Sequence, residues 1–231
     1  MLLLDAGDAL LGDRGPAVQS QGKTSVQALN LLKYDAVVIG EGDLRLGLES
    51  LRQRIEEAAV PLLSANIWLK GSGERLATPY VICQVQAHRI GVIGLTGSNW
   101  DPRDPTFALR DPVESVQGIL PEVAAQSDVV IILSHATLDA ERQIADHIPG
   151  VHLIVSGGAE RLDSPEVGSA GALIVHADRS TAGHAGLRLG IARLSFDAQN
   201  RLLDYTWEAL SLGPEVGDDP EVAAWLDSLQ D

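Results

Sequence analysis

One cysteine, Cys83, is all the chain contains, and a lone thiol can form neither an internal disulfide nor a cysteine-based metal cluster. It sits in the alternating run Tyr80–Val85, where a small buried hydrophobe is the expected role. Basic residues are also few: 17 Lys and Arg against 32 Asp and Glu leave a formal net charge of −15. Such a chain repels phosphate backbones, and no cluster of Lys or Arg offsets this, which speaks against nucleic acid as a partner. No apolar stretch reaches the ~18 residues of a membrane span. Internal repeats and low-complexity segments are missing too. What is present is ordinary for a globular protein, with 45% hydrophobic and 21% charged residues. A length of 231 residues suits one large α/β domain or two small ones and can bury a sizeable core.

The amino terminus, Met1-Leu2-Leu3-Leu4, meets Asp5 at once. It has no basic flank and too little apolar length for a signal peptide. Read as written, the chain is expected to be cytoplasmic.

The densest information lies in Asp128–Arg161. Val129–Leu133 is an unbroken, β-branched apolar run, too short for a helix, and reads as a buried strand ending at Ser134-His135. A helix carrying Leu138, Ile144 and Ala145 follows, then a Pro149-Gly150 break and a second strand, Leu153–Ser156, that runs into Gly157-Gly158. Two parallel strands, each with a polar loop at its carboxyl end, form the usual place for a site in an α/β sheet.

The rest of the chain repeats this grammar. Leu2–Leu4 is a strand leading to Asp5-Ala6-Gly7-Asp8, and Tyr34–Ile39 is another leading to Gly40-Glu41-Gly42-Asp43. Asp8, a carboxylate at a strand end after a permissive glycine, has the character of a hard-metal ligand and equally of a turn cap. The segment GEGD reads equally as a tight surface turn. An amphipathic helix spans Leu48–Ala59, and a strand over Val60–Ala65 ends at Asn66, a turn residue. Tyr80–Val85 and Arg89–Leu95 pair as a hairpin with a solvated His88 at the turn. A polar loop covers Gly97–Arg110. Asp111 and Pro112 begin a helix that Pro121 is expected to break or kink. Ala172–His176 is a strand, Leu187–Phe196 and Leu202–Leu212 close as a hairpin, and Asp218-Asp219-Pro220 starts the last helix. Ala17–Thr24 fits a relaxed phosphate-loop pattern, with a helix capped by Ser25 behind it, but no strand precedes it, so the match reads as chance. His176 reads as a core histidine and His184 as exposed, while His147 and His152 have no ligand spacing with His135.

Five short words, LLLDAGD, GEGD after a strand, LSAN, IGLT and LSH, keep their order and spacing. Together they resemble the calcineurin-like metallophosphoesterases, in particular the 5'-nucleotidase branch. The resemblance implies an α/β fold, a four-layer α/β/β/α sandwich lacking the family's first strand, over a single domain 1–231. The nucleotidases' C-terminal specificity domain is expected to have no counterpart. It also implies a pair of divalent metals, of whose ligands Asp8 and His135 are kept and Glu41 stands where the family has Asn. Gly42 replaces the histidine that protonates the leaving group, and Ala159 and Arg161 replace two metal-site histidines. The expected protein is therefore a metallophosphoesterase-fold chain with a degenerate metal site and no catalytic residue, serving to bind or scaffold. It would hold no tight cofactor and at most one weak divalent ion among Asp8, Glu41 and His135. Arg161 is an anion-binding candidate, so phosphate or nucleotide is the expected ligand class. The alternative is a metal-dependent phosphoester hydrolase completed by residues upstream of Met1, which would also make it an exported or periplasmic protein.

Overall fold

The computed structural model describes residues 1–12, 15–97, 100, 101, 103–158, 160, 162–177 and 188–229. Its first third contains β1 (Leu4–Asp5), α1 (Pro16–Gln19), α2 (Lys23–Leu32), β2 (Ala36–Val38), α3 (Gly47–Glu57), β3 (Leu62–Leu63) and β4 (Ile67–Leu69). There follow β5 (Tyr80–Val85), β6 (His88–Leu95), β7 (Phe107–Leu109), α4 (Pro112–Ala124), β8 (Val129–Ser134), α5 (Leu138–His147) and β9 (Leu153–Ser156). The chain ends with β10 (Glu166–Val167), β11 (Leu173–His176), β12 (Arg188–Phe196), β13 (Leu202–Ser211) and α6 (Pro220–Asp227). None of the described helices is long and apolar enough to cross a membrane.

Two sheets form the centre. The larger has six strands in the order β10-β11-β9-β8-β6-β5, parallel from β11 to β6 and antiparallel at both edges. The smaller is a parallel β1-β2-β3 sheet, accompanied by the β12–β13 hairpin. Alternation along the strands divides the apolar side chains among three cores. In β8, Val130 and Ile132 face α4 and α5 with Val116, Val123 and Ile144. Val129, Ile131 and Leu133 face the other way, onto Ala36, Val38 and Leu63 of the smaller sheet. Val37 and Ile39 complete the set by packing with Leu29 of α2 and Leu51 of α3. Three cores separate four layers, so the α/β/β/α sandwich is the observed architecture.

Local chemistry sets several boundaries. Asp111 accepts a hydrogen bond from the Glu114 N–H at 2.9 Å and caps α4. Asp219 does the same for α6 through the N–H groups of Glu221 and Val222. The helix does not break at Pro121, because α4 continues through it to Ala124. The carbonyl that the proline leaves without a donor belongs to Gln117, which is exposed and can turn to water, and Gly118 relieves crowding in the same turn. Ser25 does not cap α2, which begins at Lys23 behind a left-handed Gly22. The strand expected over Val60–Ala65 is shortened to β3, and a separate strand, β4, starts after the turn at Asn66, whose side chain bonds both the N–H and the C=O of Thr96. A short strand, β7, lies inside the expected polar loop and pairs with β4.

Candidate functional site

Parallel strands place their carboxyl ends side by side. In the larger sheet, Leu95, Ser134, Ser156 and His176 stand in register at the ends of β6, β8, β9 and β11. His135 follows Ser134 directly, and its main-chain N–H is tied to the Leu95 carbonyl at 2.8 Å. From the smaller sheet, β1 delivers Asp8 and β2 delivers Glu41. All three side chains meet.

His135 is the centre of the group. Its Nδ1–H donates to the Ala6 carbonyl at 2.8 Å, which turns Nε2 toward two carboxylates. Asp8 Oδ2 lies 3.2 Å from Nε2 and Glu41 Oε2 lies 3.8 Å away. Burial of the ring works against its charge, but the bond to Asp8 and the nearby Glu41 prevail and lift its pKa to about 9. Burial opposes charge on Asp8 as well; His135 and the Gly42 N–H, donating to Oδ1 at 2.7 Å, outweigh it and hold this carboxyl below its usual range. Glu41 Oε2 is buried with no hydrogen-bond partner.

Two glycines make the arrangement possible. Gly7 has φ +108°, and a Cβ there would stand 2.8 Å from His135 Nδ1. A Cβ on Gly42 would stand 2.7 Å from both carboxylate oxygens of Asp8. Gly42 is thus more than the loss of an imidazole: the Asp8 carboxylate occupies the space that a side chain at 42 would need.

Sequence reasoning overlooked two buried carboxyl groups beneath these loops. Asp43 accepts the N–H groups of Leu10 at 2.9 Å and Gly40 at 3.1 Å, and so clamps the Asp8 loop to the Glu41 loop. Burial and the repulsion of Asp8 push its pKa to about 7 against those bonds. Glu141, fully buried on α5, has neither oxygen in hydrogen-bonding geometry, although Ser134 and Ser156 lie beside it. Burial raises its pKa to about 7, and the two serines and His135 offset only part of that rise. A signal for Glu141 existed, since it lies on the apolar stripe of α5 between Leu138 and Ala145.

Other candidates lie apart or outside the description. Ala159 and Arg161 are outside the described residues, as is His184. His176 is buried, with Nε2 3.3 Å from the Gly158 carbonyl and Nδ1 lacking a partner, so it is only half satisfied. His147 bonds the Gln143 carbonyl, His152 accepts the Val130 N–H, and His88 is exposed. The phosphate-loop match around Lys23 has a short helix, α1, inside the loop itself, and no strand leads directly into it among the described residues.

Two of the three convergent side chains, Asp8 and His135, are bonded to each other. Among the described residues, no group of three or more His, Cys, Asp or Glu side chains has an arrangement that could hold a metal ion. Asp8, Glu41 and His135, as they stand, form no such group.

No family model matches the chain. It is 28% identical to human 5'-nucleotidase over 255 residues, covering 97% of the chain and 43% of that protein. A 5'-nucleotidase precursor from Thermus thermophilus superposes with a TM-score of 0.83 at 28% identity, over 99% of the chain and 48% of that structure. A calcineurin-like phosphoesterase from Bacillus subtilis has the same fold, with a TM-score of 0.80 at 24% identity over 99% of the chain and 82% of its own length. The chain thus spans less than half of the two 5'-nucleotidases. On these likenesses of sequence and fold, the chain belongs to the calcineurin-like metallophosphoesterase superfamily, in its 5'-nucleotidase branch.

Proposed function

We propose that this is a phosphoesterase-fold protein whose metal site has degenerated and whose role is to bind rather than to hydrolyse. One observation carries the reading: Asp8 and His135, the two retained ligands, are consumed by each other at 3.2 Å. The second Asp8 oxygen is taken by the Gly42 N–H. Coordination would have to break that pair and expel a proton from His135. A single divalent ion could compete for Asp8, Glu41 and His135 only weakly, and two ions need more ligands than these. Gly42 offers no proton to a leaving group, a loss on the order of 10²–10⁴-fold by itself. Phosphate or a nucleotide remains the proposed ligand class, with Arg161 the candidate that would attract it.

The purified chain, dialysed and measured by elemental analysis, should carry well under one equivalent of Mn, Zn or Fe. It should release no phosphate from nucleoside monophosphates above background with Mn, Co or Zn added. Turnover that disappears in His135→Ala would overturn the reading. Gly42→His is expected not to restore activity, because its side chain would displace Asp8.

A second reading, a metal-dependent phosphoester hydrolase completed by residues upstream of Met1, is favoured by Glu41. Its buried, unpartnered Oε2 lies where a cation would satisfy it. Two tightly held metal equivalents in a chain extended upstream of Met1 would select this reading.

A further inference from the structure

Three side chains stand in a row across the ribbon formed by β4 and β7. Trp68 on β4 is paired with Ala108 of β7 on one side and bridged to Arg75 on the other. Residues directly opposite on neighbouring strands share a face, as does a residue two further along. Arg75, Trp68 and Arg110 therefore occupy one face. The Arg110 guanidinium carbon lies 3.4 Å from the centre of the Trp68 ring, and that of Arg75 lies 4.8 Å from it. The two cations are thus no farther apart than those distances together, about 8 Å.

Cation–π attraction explains why each arginine rests on the ring. It does not explain why both lack an anion. The chain has nearly twice as many acidic as basic residues. Arg54, Arg89, Arg103, Arg142, Arg193 and Arg201 each come within 3.9 Å of a carboxylate. Among the described residues, Arg75 and Arg110 have no ion pair. Asp111, the chain neighbour of Arg110, is turned instead to the Glu114 N–H. Trp68 Nε1 is also buried without an acceptor. The arginines are anchored from behind. Arg75 donates through Nε–H to the Ala65 carbonyl at 3.3 Å. The Arg110 N–H donates to the Asn66 carbonyl at 2.9 Å, and its own carbonyl accepts the Asn66 side-chain amide at 3.2 Å. Both residues are exposed, and their terminal nitrogens make no hydrogen bond among the described residues.

We propose that this face binds a tetrahedral dianion of the phosphate class, free or as a small phosphate monoester, between the terminal nitrogens of Arg75 and Arg110. Charge and shape select the ligand. Two fixed cations match a double negative charge, and two donor forks offer more hydrogen bonds than one carboxylate can accept well. A nucleobase would need an open ring face to stack on, and the Trp68 ring already carries two guanidiniums. Asp8, Glu41, His135 and Arg161 are not needed for it, so this site stands or falls apart from the binding role proposed above.

The full chain, labelled with ¹⁵N, is titrated at pH 7.5 and constant ionic strength with inorganic phosphate, and separately with glycerol phosphate and acetate. The side-chain Nε–H signals of Arg75 and Arg110 should move together and saturate at low millimolar phosphate. Acetate should bind at least about tenfold more weakly. Saturation by glycerol phosphate too would assign the site to monoesters, and saturation by phosphate alone to the free ion; both support it. Arg75→Gln and Arg110→Gln should each weaken binding by about tenfold, through loss of the charge-assisted hydrogen bonds of one guanidinium. Arg110→Lys, which keeps the charge and loses the fork, should fall between. If a glutamine variant does not fold, the lysine variant decides, and unchanged affinity there overturns the proposal. Arg161→Gln should leave the titration of Arg75 and Arg110 as it was; its loss would mean that the anion belongs elsewhere and would overturn the proposal. Signals that stay still to tens of millimolar phosphate, or that respond equally to acetate, would overturn it too.

Discussion

With Nδ1 of His135 committed to the Ala6 carbonyl, Nε2 can hold only a proton or a cation against Asp8 and Glu41. The pKa of about 9 lies above the ordinary 6.5, so the imidazolium contributes stability in full below about pH 6.5 and loses it as pH rises through 9. Asp8 is shifted the other way; its contribution is present above its ordinary 3.8 and fades as pH falls through its lowered value. The pair therefore supports the fold between these limits, by on the order of 2–3 kcal/mol at most given the partial exposure of Asp8. Urea midpoints of the wild type and His135→Gln should differ most near pH 6.5 and converge toward pH 10. A gap constant over that range would mean that His135 carries no charge. In Glu141 the neutral form, not the charged one, is favoured by the fold. Its pKa is raised from 4.5 to about 7, so stability is lost as pH climbs from 4.5 to 7 and the carboxyl ionises without a partner. Glu141→Gln should stabilise the protein by about 2–3 kcal/mol above pH 7 and by little at pH 4.5. Equal stability of the two proteins at pH 8 would show that the serines satisfy the carboxylate.

At the scale of elements, α4 offers the cleanest experiment, because its proline sits where no sharp break occurs. Pro121→Ala returns a donor to the Gln117 carbonyl and removes the ring, a gain of up to ~3 kcal/mol in a helix interior. Extra freedom in the unfolded chain takes back about 0.4–1 kcal/mol. A net stabilisation of about 1–2 kcal/mol in urea unfolding is expected, and a destabilised variant would mean that the helix is built around the ring. The elements legible from sequence were those whose burial writes a pattern. Strands β8, β9 and β11 are buried on both faces and read as apolar runs, and α4 and α6 announce themselves by Asp-Pro starts. Short strands such as β3, β4, β7 and β10 carry two or three residues each, too few for any period to show. The site divides in the same way. Asp8, Glu41 and His135 could be named because each follows a readable strand within one of the words that resemble the family's. That the Asp8 carboxylate fills the space over Gly42, and that Asp43 clamps two loops, depends on how loops 34 residues apart approach each other, which no local pattern records.

For the whole molecule, cohesion is unevenly shared. The larger sheet lies between two of the three cores, and β6, β8 and β9 hydrogen-bond on both edges. Among the described residues, the β12–β13 hairpin makes ladder bonds only within itself. It is held through Leu194, Phe196, Leu202, Tyr205 and Trp207 against the middle core, and through the edge contact of Phe196 with His152 at 5.6 Å. A cleft of about 850 Å³ between it and the larger sheet removes part of the surface it could bury. A two-stranded ribbon is marginal alone in water, so these few side chains carry most of its stability. Native-state exchange in low urea should therefore separate two classes. Amides of β6, β8 and β9 should open only with global unfolding and show its full denaturant dependence. Amides of β12 and β13 should exchange through a local opening several kcal/mol less costly, with little denaturant dependence. Phe196→Ala should widen the difference by loosening the hairpin alone. If β12, β13 and β8 instead share one opening free energy, the hairpin belongs to the same cooperative unit as the larger sheet and the cleft is rigid.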